Sequence, residues 1–325
     1  MTNTEYIMQH NILITSAGQR VALVKNFQNT LHKYFCDAKV FTTDMNPELA
    51  PAAYVSDGCF KVVKVTDEHY IPQLLDICKN NKIGMIIPTI DTELIVLAEN
   101  KQMFLDNNII VCVSSLEFIS TCRDKRNTST FFKSRNIRVP NEIDKYNPIF
   151  PMFAKPYDGS LSSNLHYIKN KDELTYEILN DPKLLFMEYI DKDVYKEYTI
   201  DMYYGKDNCV KCIVPRERIK IRAGEINKGR TVKFPLTDYM KQRLNKIDGC
   251  IGCICVQVFF NSNTNDVVGI EINPRFGGGY PQTFAAGGNY PEMLIREYFL
   301  NEVIEYTEDW KDNMLMLRYD DAIYV

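Results

Sequence analysis

The sequence predicts an α/β protein with α+β lobes, and three observations carry that prediction. In the first third of the chain, short apolar strand-like runs alternate with segments of helical spacing, the pattern of a parallel sheet with helices on both faces. A middle piece reads strand, loop, strand, helix, strand. From Glu197 to Asn273 the chain reads as mainly antiparallel. At 325 residues there is length for two or three lobes with cores of their own.

The opening MTNTEYIMQH lacks a basic stretch followed by an apolar one, so it is expected to be a loose extension and not a signal peptide. Ile12–Thr15 is apolar and continuous, hence a strand, and Val21, Val24, Phe27 and Leu31 then recur at helical spacing. Val40–Thr43 is the second strand, ending at Asp44, and Val62–Val65 the third. A helix over Tyr70–Cys78, a strand at Met85–Ile87, a helix over Leu94–Leu105 and a strand at Ile109–Val113 complete the alternation. Ligands of such sheets sit beyond the carboxyl ends of the strands, here Ser16–Arg20, Asp44 and Thr89–Glu93. A dinucleotide fingerprint needs three glycines after the first strand. Only Gly18 is present, so Asp44, though well placed for a ribose, does not argue for a nicotinamide cofactor.

Ser115 to Pro140 reads as a helix with an extended exit. Phe150–Lys155 and Leu165–Lys169 are strands around a loop, Lys171–Asn180 is helical and Lys183–Ile190 is a strand. A helix is expected near Leu236–Ile247. Two stretches, Cys253–Asn261 and Val267–Asn273, form a hairpin about the loop-forming residues Asn261–Asp266.

Composition excludes several classes. With 38 Lys+Arg against 42 Asp+Glu and no long basic stretch, nucleic-acid binding has little electrostatic support. No apolar run reaches the length of a membrane span. Ten cysteines without an export signal predict reduced thiols in a cytoplasm. The spacings Cys209-x-x-Cys212 and Cys250-x-x-Cys253, with Cys255 following, are weak zinc signals. An offset of three on a strand puts Cys209 and Cys212 on opposite faces, and buried apolar cysteines are the expectation.

The chemistry-bearing residues lie in the second half. Folding the hairpin about Thr264 puts Gln257 opposite Glu271, and Asn273, two residues on, shares the face of Glu271. Three oxygen donors then converge, a set suited to magnesium carrying substrate phosphates. Arg275 and Gly277-Gly278-Gly279 follow. Lys155 ends a strand beside the loop Tyr157–Asn164, whose backbone and hydroxyls, Ser160 and Ser162 among them, can face phosphate oxygens. Lys125 is a second phosphate candidate. Glu188-Tyr189-Ile190 closes a strand that can offer backbone groups to an adenine edge, and Glu197 can accept ribose hydroxyls. Arg216, Arg218, Lys220, Arg222, Lys228 and Arg230 crowd one segment. Such a run is usually a solvated face, but beside a phosphate site it can clamp an anion, and Gly224 and Gly229 make it a candidate flap. Taken singly, Lys125, Glu188 and Glu197 each also read as ordinary surface residues.

The order Lys125, Ala154-Lys155-Pro156, the Gly159–Asn164 loop, Glu188-Tyr189-Ile190, Glu197, Gln257 and Glu271-Ile272-Asn273-Pro274-Arg275 resembles the ATP-grasp superfamily. It looks closest to single-module relatives of the carbamoyl-phosphate synthetase large subunit, over about Ser115 to Gly288. The resemblance implies a Rossmann-like pre-ATP-grasp domain over 1–114, an ATP-grasp small lobe over 115–187 and a C-terminal lobe with the metal site over 188–325. It implies ATP between the lobes, with Lys125 and Lys155 on phosphates, Ser160 and Ser162 in the phosphate loop, Glu188, Tyr189 and Ile190 at the adenine and Glu197 on the ribose. Gln257, Glu271 and Asn273 then hold Mg2+, with Mn2+ a substitute, and Arg275 stabilises a phosphorylated intermediate. From the basic segment, and not from the resemblance, Arg216 and Arg222 are expected to act on the anionic substrate or developing charge.

The implied activity is an ADP-forming, cytoplasmic carboxylate–amine ligase acting on small molecules, with a homodimer a candidate assembly. The alternatives are a nucleotide-binding protein without turnover and a carbamoyl-phosphate-synthetase-like phosphorylation of a small carboxylate. The loop departs from the family in having Ser163-Asn164 in place of a second glycine, and the interval from Glu188 to Glu197 is longer than usual. Without a second synthetase module or a glutamine-hydrolysing domain, full carbamoyl-phosphate synthesis by this chain alone is not expected.

Overall fold

The computed structural model describes residues 9–159, 164–222 and 224–325. Ser160 and Ser162 lie outside the described residues. The first sheet is built from β1 (Asn11–Thr15), β2 (Val40–Asp44), β3 (Cys59–Lys61), β4 (Ile83–Pro88) and β5 (Ile110–Val111), all parallel, in the order β3-β2-β1-β4-β5. Helices α1 (Val21–Tyr34), α2 (Pro51–Val55), α3 (Tyr70–Asn80), α4 (Asp91–Glu99) and α5 (Lys101–Leu105) connect the strands. On α1, Val24, Phe27 and Leu31 are fully buried, the face that the helical spacing predicts.

Two expectations shift here. The third strand lies at Cys59–Lys61, ahead of the apolar Val62–Val65: Val62 joins the core, while the Val63 amide turns away from the sheet and donates to Gln73 Oε1 at 3.0 Å. The helix expected over Leu94–Leu105 is two helices, broken at Asn100, whose side-chain amide bonds back to the Val96 carbonyl at 2.8 Å.

The Ser115–Pro140 segment likewise holds two helices, α6 (Leu116–Arg123) and α7 (Lys125–Ser134). Asp124 separates them, and its carboxylate accepts from the Arg126 amide, an N-cap that sets Lys125 as the first residue of α7. A small antiparallel sheet follows: β6 (Met152–Pro156), β7 (His166–Ile168) and β8 (Leu184–Glu188), in the order β7-β6-β8, with the short helix α8 (Tyr176–Asn180) before β8.

The large sheet is antiparallel: β9 (Lys196–Tyr204), β10 (Val210–Arg222), β11 (Glu225–Thr231), β12 (Gly252–Asn261), β13 (Asp266–Asn273) and β14 (Leu315–Leu317), ordered β13-β12-β9-β10-β11-β14. The remaining helices are α9 (Leu236–Leu244), α10 (Tyr280–Ala286) and α11 (Tyr290–Tyr298). The Arg216–Arg230 segment is thus a β-hairpin inside this sheet, its second strand covered by β14.

One apolar cluster spans the parallel sheet and the large sheet's helices. It joins Ile12, Val24 and Phe27 to Tyr280, Tyr290 and Trp310, so the first domain shares a core with the C-terminal lobe. Cys212, Cys250, Cys253 and Cys255 are buried free thiols. Among the described residues no helix is long and apolar enough to cross a membrane.

Candidate active site

A cavity of about 630 Å³ opens where three elements meet: the small sheet, the large sheet, and the carboxyl ends of the parallel strands. Lys125, Lys155, Glu188, Tyr189, Ile190, Glu197, Arg216, Gln257, Glu271, Asn273 and Arg275 all line it.

Lys155 is held at the end of β6 by pairing with Leu185, and its side chain is 8% exposed. No hydrogen bond or ion pair engages its ammonium among the described residues. Burial drives its pKa down to about 8, with the charge of Glu271 opposing that fall and Lys125 adding to it. The ammonium thus faces the cleft. Lys125 donates from Nζ to the Gly159 carbonyl at 2.6 Å, and from its backbone amide to Tyr157 O at 2.9 Å, so it ties down the start of the phosphate-candidate loop.

On the facing sheet the hairpin register pairs Gln257 with Glu271. Asn273 donates from Nδ2 to Glu271 Oε1 at 3.0 Å, which locks the two side chains together and leaves the amide oxygen of Asn273 free of that bond. The set is one carboxylate and two amide oxygens on the cleft face, opposite Lys155. Hard cations take such oxygen donors alongside nucleotide phosphates, so these residues fit a magnesium ion.

Arg275 forms an ion pair with Asp91 at 2.8 Å, reaching from the end of β13 to the first turn of α4. Burial works against its charge, but Asp91 outweighs it and holds the guanidinium above its ordinary pKa. Arg216 is 1% exposed and makes a bidentate pair with Asp201 on β9, at 2.9 and 3.0 Å. Asp201 also accepts from Thr283 Oγ1 and Cys255 Sγ, so every member of this buried network has a partner except Arg216 Nη1. The triple glycine is explained by crowding. A Cβ on Gly279 would lie 2.3 Å from Arg216 Nη1, and one on Gly278 2.1 Å from Glu225 Oε1.

The remaining expected residues are placed as follows. The carboxylate of Glu188 is occupied: it pairs with Arg138 and accepts from the backbone and side chain of Asn141 at 3.0 and 2.7 Å. What Glu188, Tyr189 and Ile190 offer the cleft is therefore backbone and the Tyr189 ring, which packs on Tyr167 with centroids 4.3 Å apart. Glu197 lines the cavity, and its Oε1 lies 2.9 Å from Arg218 Nε, an ion pair without an aligned N–H···O bond.

Arg222 is not brought to the cavity. Ile221, Gly224 and Glu225 of the hairpin tip line the cavity, but the exposed Arg222 guanidinium pairs with Asp320. Asp44 is a structural group, accepting from the Gly18 amide at 3.2 Å to hold the turn after β1.

Sequence reading missed the partners Asp91, Asp201 and Arg138. Asp91 carried a signal as a strand-end acid, but a pair separated by 184 residues has no local trace. It also missed Arg318, which pairs with Glu225 at 2.8 Å and donates to the Gly278 carbonyl at the rim of the cleft.

Three lobes around a nucleotide-sized cleft, with a lysine facing an oxygen-donor patch across it, define a class that the comparisons with known proteins identify. Residues 12–112 match the family described as "PylC-like, N-terminal domain", and residues 180–321 match "ATP-grasp in the biosynthetic pathway with Ter operon". Among solved structures, the biotin carboxylase domain of the Hydrogenobacter thermophilus 2-oxoglutarate carboxylase superposes with a TM-score of 0.71 at 13% identity, covering 94% of this chain and 73% of that one. N5-carboxyaminoimidazole synthetase from Staphylococcus aureus, solved with ADP, gives 0.69 at 19% identity over 95% and 80%. The L-amino acid ligase from Bacillus licheniformis gives 0.66 at 13% identity over 90% and 74%. At such identities these likenesses speak for the fold. No curated protein matches the chain. Residues 180–321 thus carry an ATP-grasp family match, and with the shared fold the two matches support an ATP-grasp superfamily protein.

Proposed function

We propose that the protein is an ATP- and Mg2+-dependent, ADP-forming ligase that joins a small carboxylate to an amine through an acyl phosphate. The observation that carries this reading is the disposition of one cleft: the ammonium of Lys155, without a partner among the described residues, faces the Gln257–Glu271–Asn273 patch, with Arg275 beside it.

ATP lies between the small and large sheets. The backbone of Glu188, the last ladder residue of β8, and of Tyr189 and Ile190 just beyond it meets the adenine edge, and Glu197 meets the ribose. Lys155 and Lys125 neutralise the outer phosphates. Gln257, Glu271 and Asn273 would hold Mg2+, which when bound supplies charge neutralisation and phosphate alignment. The substrate carboxylate attacks the γ-phosphorus. The bond from that phosphorus to the bridging oxygen breaks, and ADP leaves with the electron pair. The amine then attacks the acyl carbon, phosphate departs, and the amine's proton passes to solvent or phosphate. Arg275 and Arg216 stabilise negative charge on the transferred group, a role of preorganised positioning that requires no nucleophilic side chain. Arg222 takes no part.

The test is an ADP-release screen with pooled carboxylates and amines, followed by mass spectrometry of active pools. The proposal expects a condensed product whose mass equals carboxylate plus amine less water, formed in step with ADP. ATP-independent product, or AMP in place of ADP, contradicts it.

A further inference from the structure

The charged side chains on the cleft wall nearest the parallel sheet are almost all paired. Arg216 has Asp201, Arg218 has Glu197, Arg275 has Asp91, and Glu225 has Arg318. Arg20, by contrast, has no such partner among the described residues. It follows β1 in the turn Ser16–Arg20, lines the cavity and has no carboxylate at ion-pair distance. Its single side-chain hydrogen bond is a long one, Nη2 to the Thr89 carbonyl at 3.3 Å, and its Nη1 is buried with no partner. Burial, and after it the charge of Arg275, disfavour its cation, while Glu225 and Asp91, beyond ion-pair distance, offset this only in part. A desolvated guanidinium with no carboxylate at ion-pair distance is an unfavourable arrangement in a free protein. It becomes favourable when an anion binds.

That anion is not the ATP phosphate tail. Arg275 Nη2 lies 3.5 Å from Asn273 Oδ1 of the metal patch on one side and 2.8 Å from Asp91 on the other, and Arg20 bonds to the Thr89 carbonyl, two residues before Asp91. From the metal patch the cleft wall therefore runs through Arg275 and Asp91 to Arg20. Arg216 and Arg275 line the same cavity, and each has one buried guanidinium nitrogen without a hydrogen-bond partner among the described residues, Nη1 and Nε.

We infer that Arg20 binds a second, non-reacting carboxylate of the substrate, so that the acceptor is a dicarboxylate-type molecule and the first domain sets its specificity. This rests on the ligase reading for which carboxylate reacts: the one beside Arg275 is activated, and the one at Arg20 is the handle. The forked N–H donors of a guanidinium match the two oxygens of a carboxylate.

The probes are two chain-length series, succinate, glutarate and adipate against butyrate, valerate and hexanoate. They are titrated calorimetrically into wild type, Arg20→Gln and Arg20→Lys, with and without MgADP. In wild type at least one dicarboxylate binds ten-fold or more tighter than its monocarboxylate counterpart. Arg20→Gln removes that discrimination, Arg20→Lys restores part of it, and MgADP affinity changes less than two-fold in either variant. The melting temperature of ligand-free Arg20→Gln is equal to or above that of wild type, because an uncompensated buried charge has gone. Equal discrimination in Arg20→Gln, no dicarboxylate preference in wild type, or a clear loss of stability in Arg20→Gln overturns the inference. Failure of MgADP to bind any form counts against the ligase reading alone, since the titrations without nucleotide still decide the role of Arg20.

Discussion

Lys155 shows how one buried side chain ties stability to ligand binding. Its ammonium is desolvated by burial, so the folded protein binds its proton less tightly than the unfolded chain does, with a pKa of about 8 against an ordinary 10.5. Between those values the unfolded state holds more protons, so stability rises with pH across that window, and below it the full penalty applies. Lys155→Met keeps the apolar stem and removes the charge. The nucleotide-free variant should therefore be more stable than wild type at pH 7, by on the order of 3 kcal/mol. Denaturant melts at pH 7 and pH 10 check this, the advantage shrinking at the higher pH. The same variant should lose ATP affinity far more than AMP affinity, since only the outer phosphates lose a partner. Calorimetry with both nucleotides reads that difference, and an equal loss for both would remove Lys155 from the phosphate site.

At the scale of elements, the β10–β11 hairpin departs most from its sequence reading. The charge run and two glycines suggested a flap, yet the glycines act differently. Gly224, at φ +78°, makes the turn. Gly229 is paired to Glu217's neighbour Arg218 and to Met316, and a Cβ there would meet Ile226 Cδ1 at 2.3 Å and Gln282 Oε1 at 2.8 Å. Gly229→Ala is expected to destabilise the protein by about 1–3 kcal/mol through overpacking, measurable as a lowered urea midpoint with unchanged m-value.

The metal-patch hairpin was legible because loop-forming residues fix its length, and length fixes which residues face each other; Gln257 does pair with Glu271. The breaks at Asn100 and Asp124 were not legible, since each depends on a side chain bonding to a nearby backbone group within an otherwise continuous helical pattern. Ion pairs that bridge distant elements, such as Arg275 with Asp91, left no trace because periodicity and spacing describe only neighbours in sequence.

For the whole molecule, the shared core matters most. Tyr280 and Tyr290 pack in the cluster that includes Val24 and Phe27, and the sole tryptophan, Trp310, is buried in it at 6% exposure. The first domain and the C-terminal lobe should then unfold together, with the Trp310 fluorescence midpoint coinciding with the far-ultraviolet circular dichroism midpoint in a denaturant series. Separate midpoints would show two independent units and weaken the case that strand-end residues such as Arg20 are rigidly aimed at the cleft.

The central claim is that nucleotide and metal meet at Glu271, and the most direct test is the magnesium dependence of ATP binding. Calorimetric titration of ATP into wild type with and without Mg2+ should show a marked gain in affinity from the metal. Glu271→Gln, folded as judged by its unchanged circular dichroism, should bind ATP with nearly the same affinity in both conditions, because the one carboxylate of the patch is gone. A Glu271→Gln protein that keeps the full wild-type gain from Mg2+ would contradict the account.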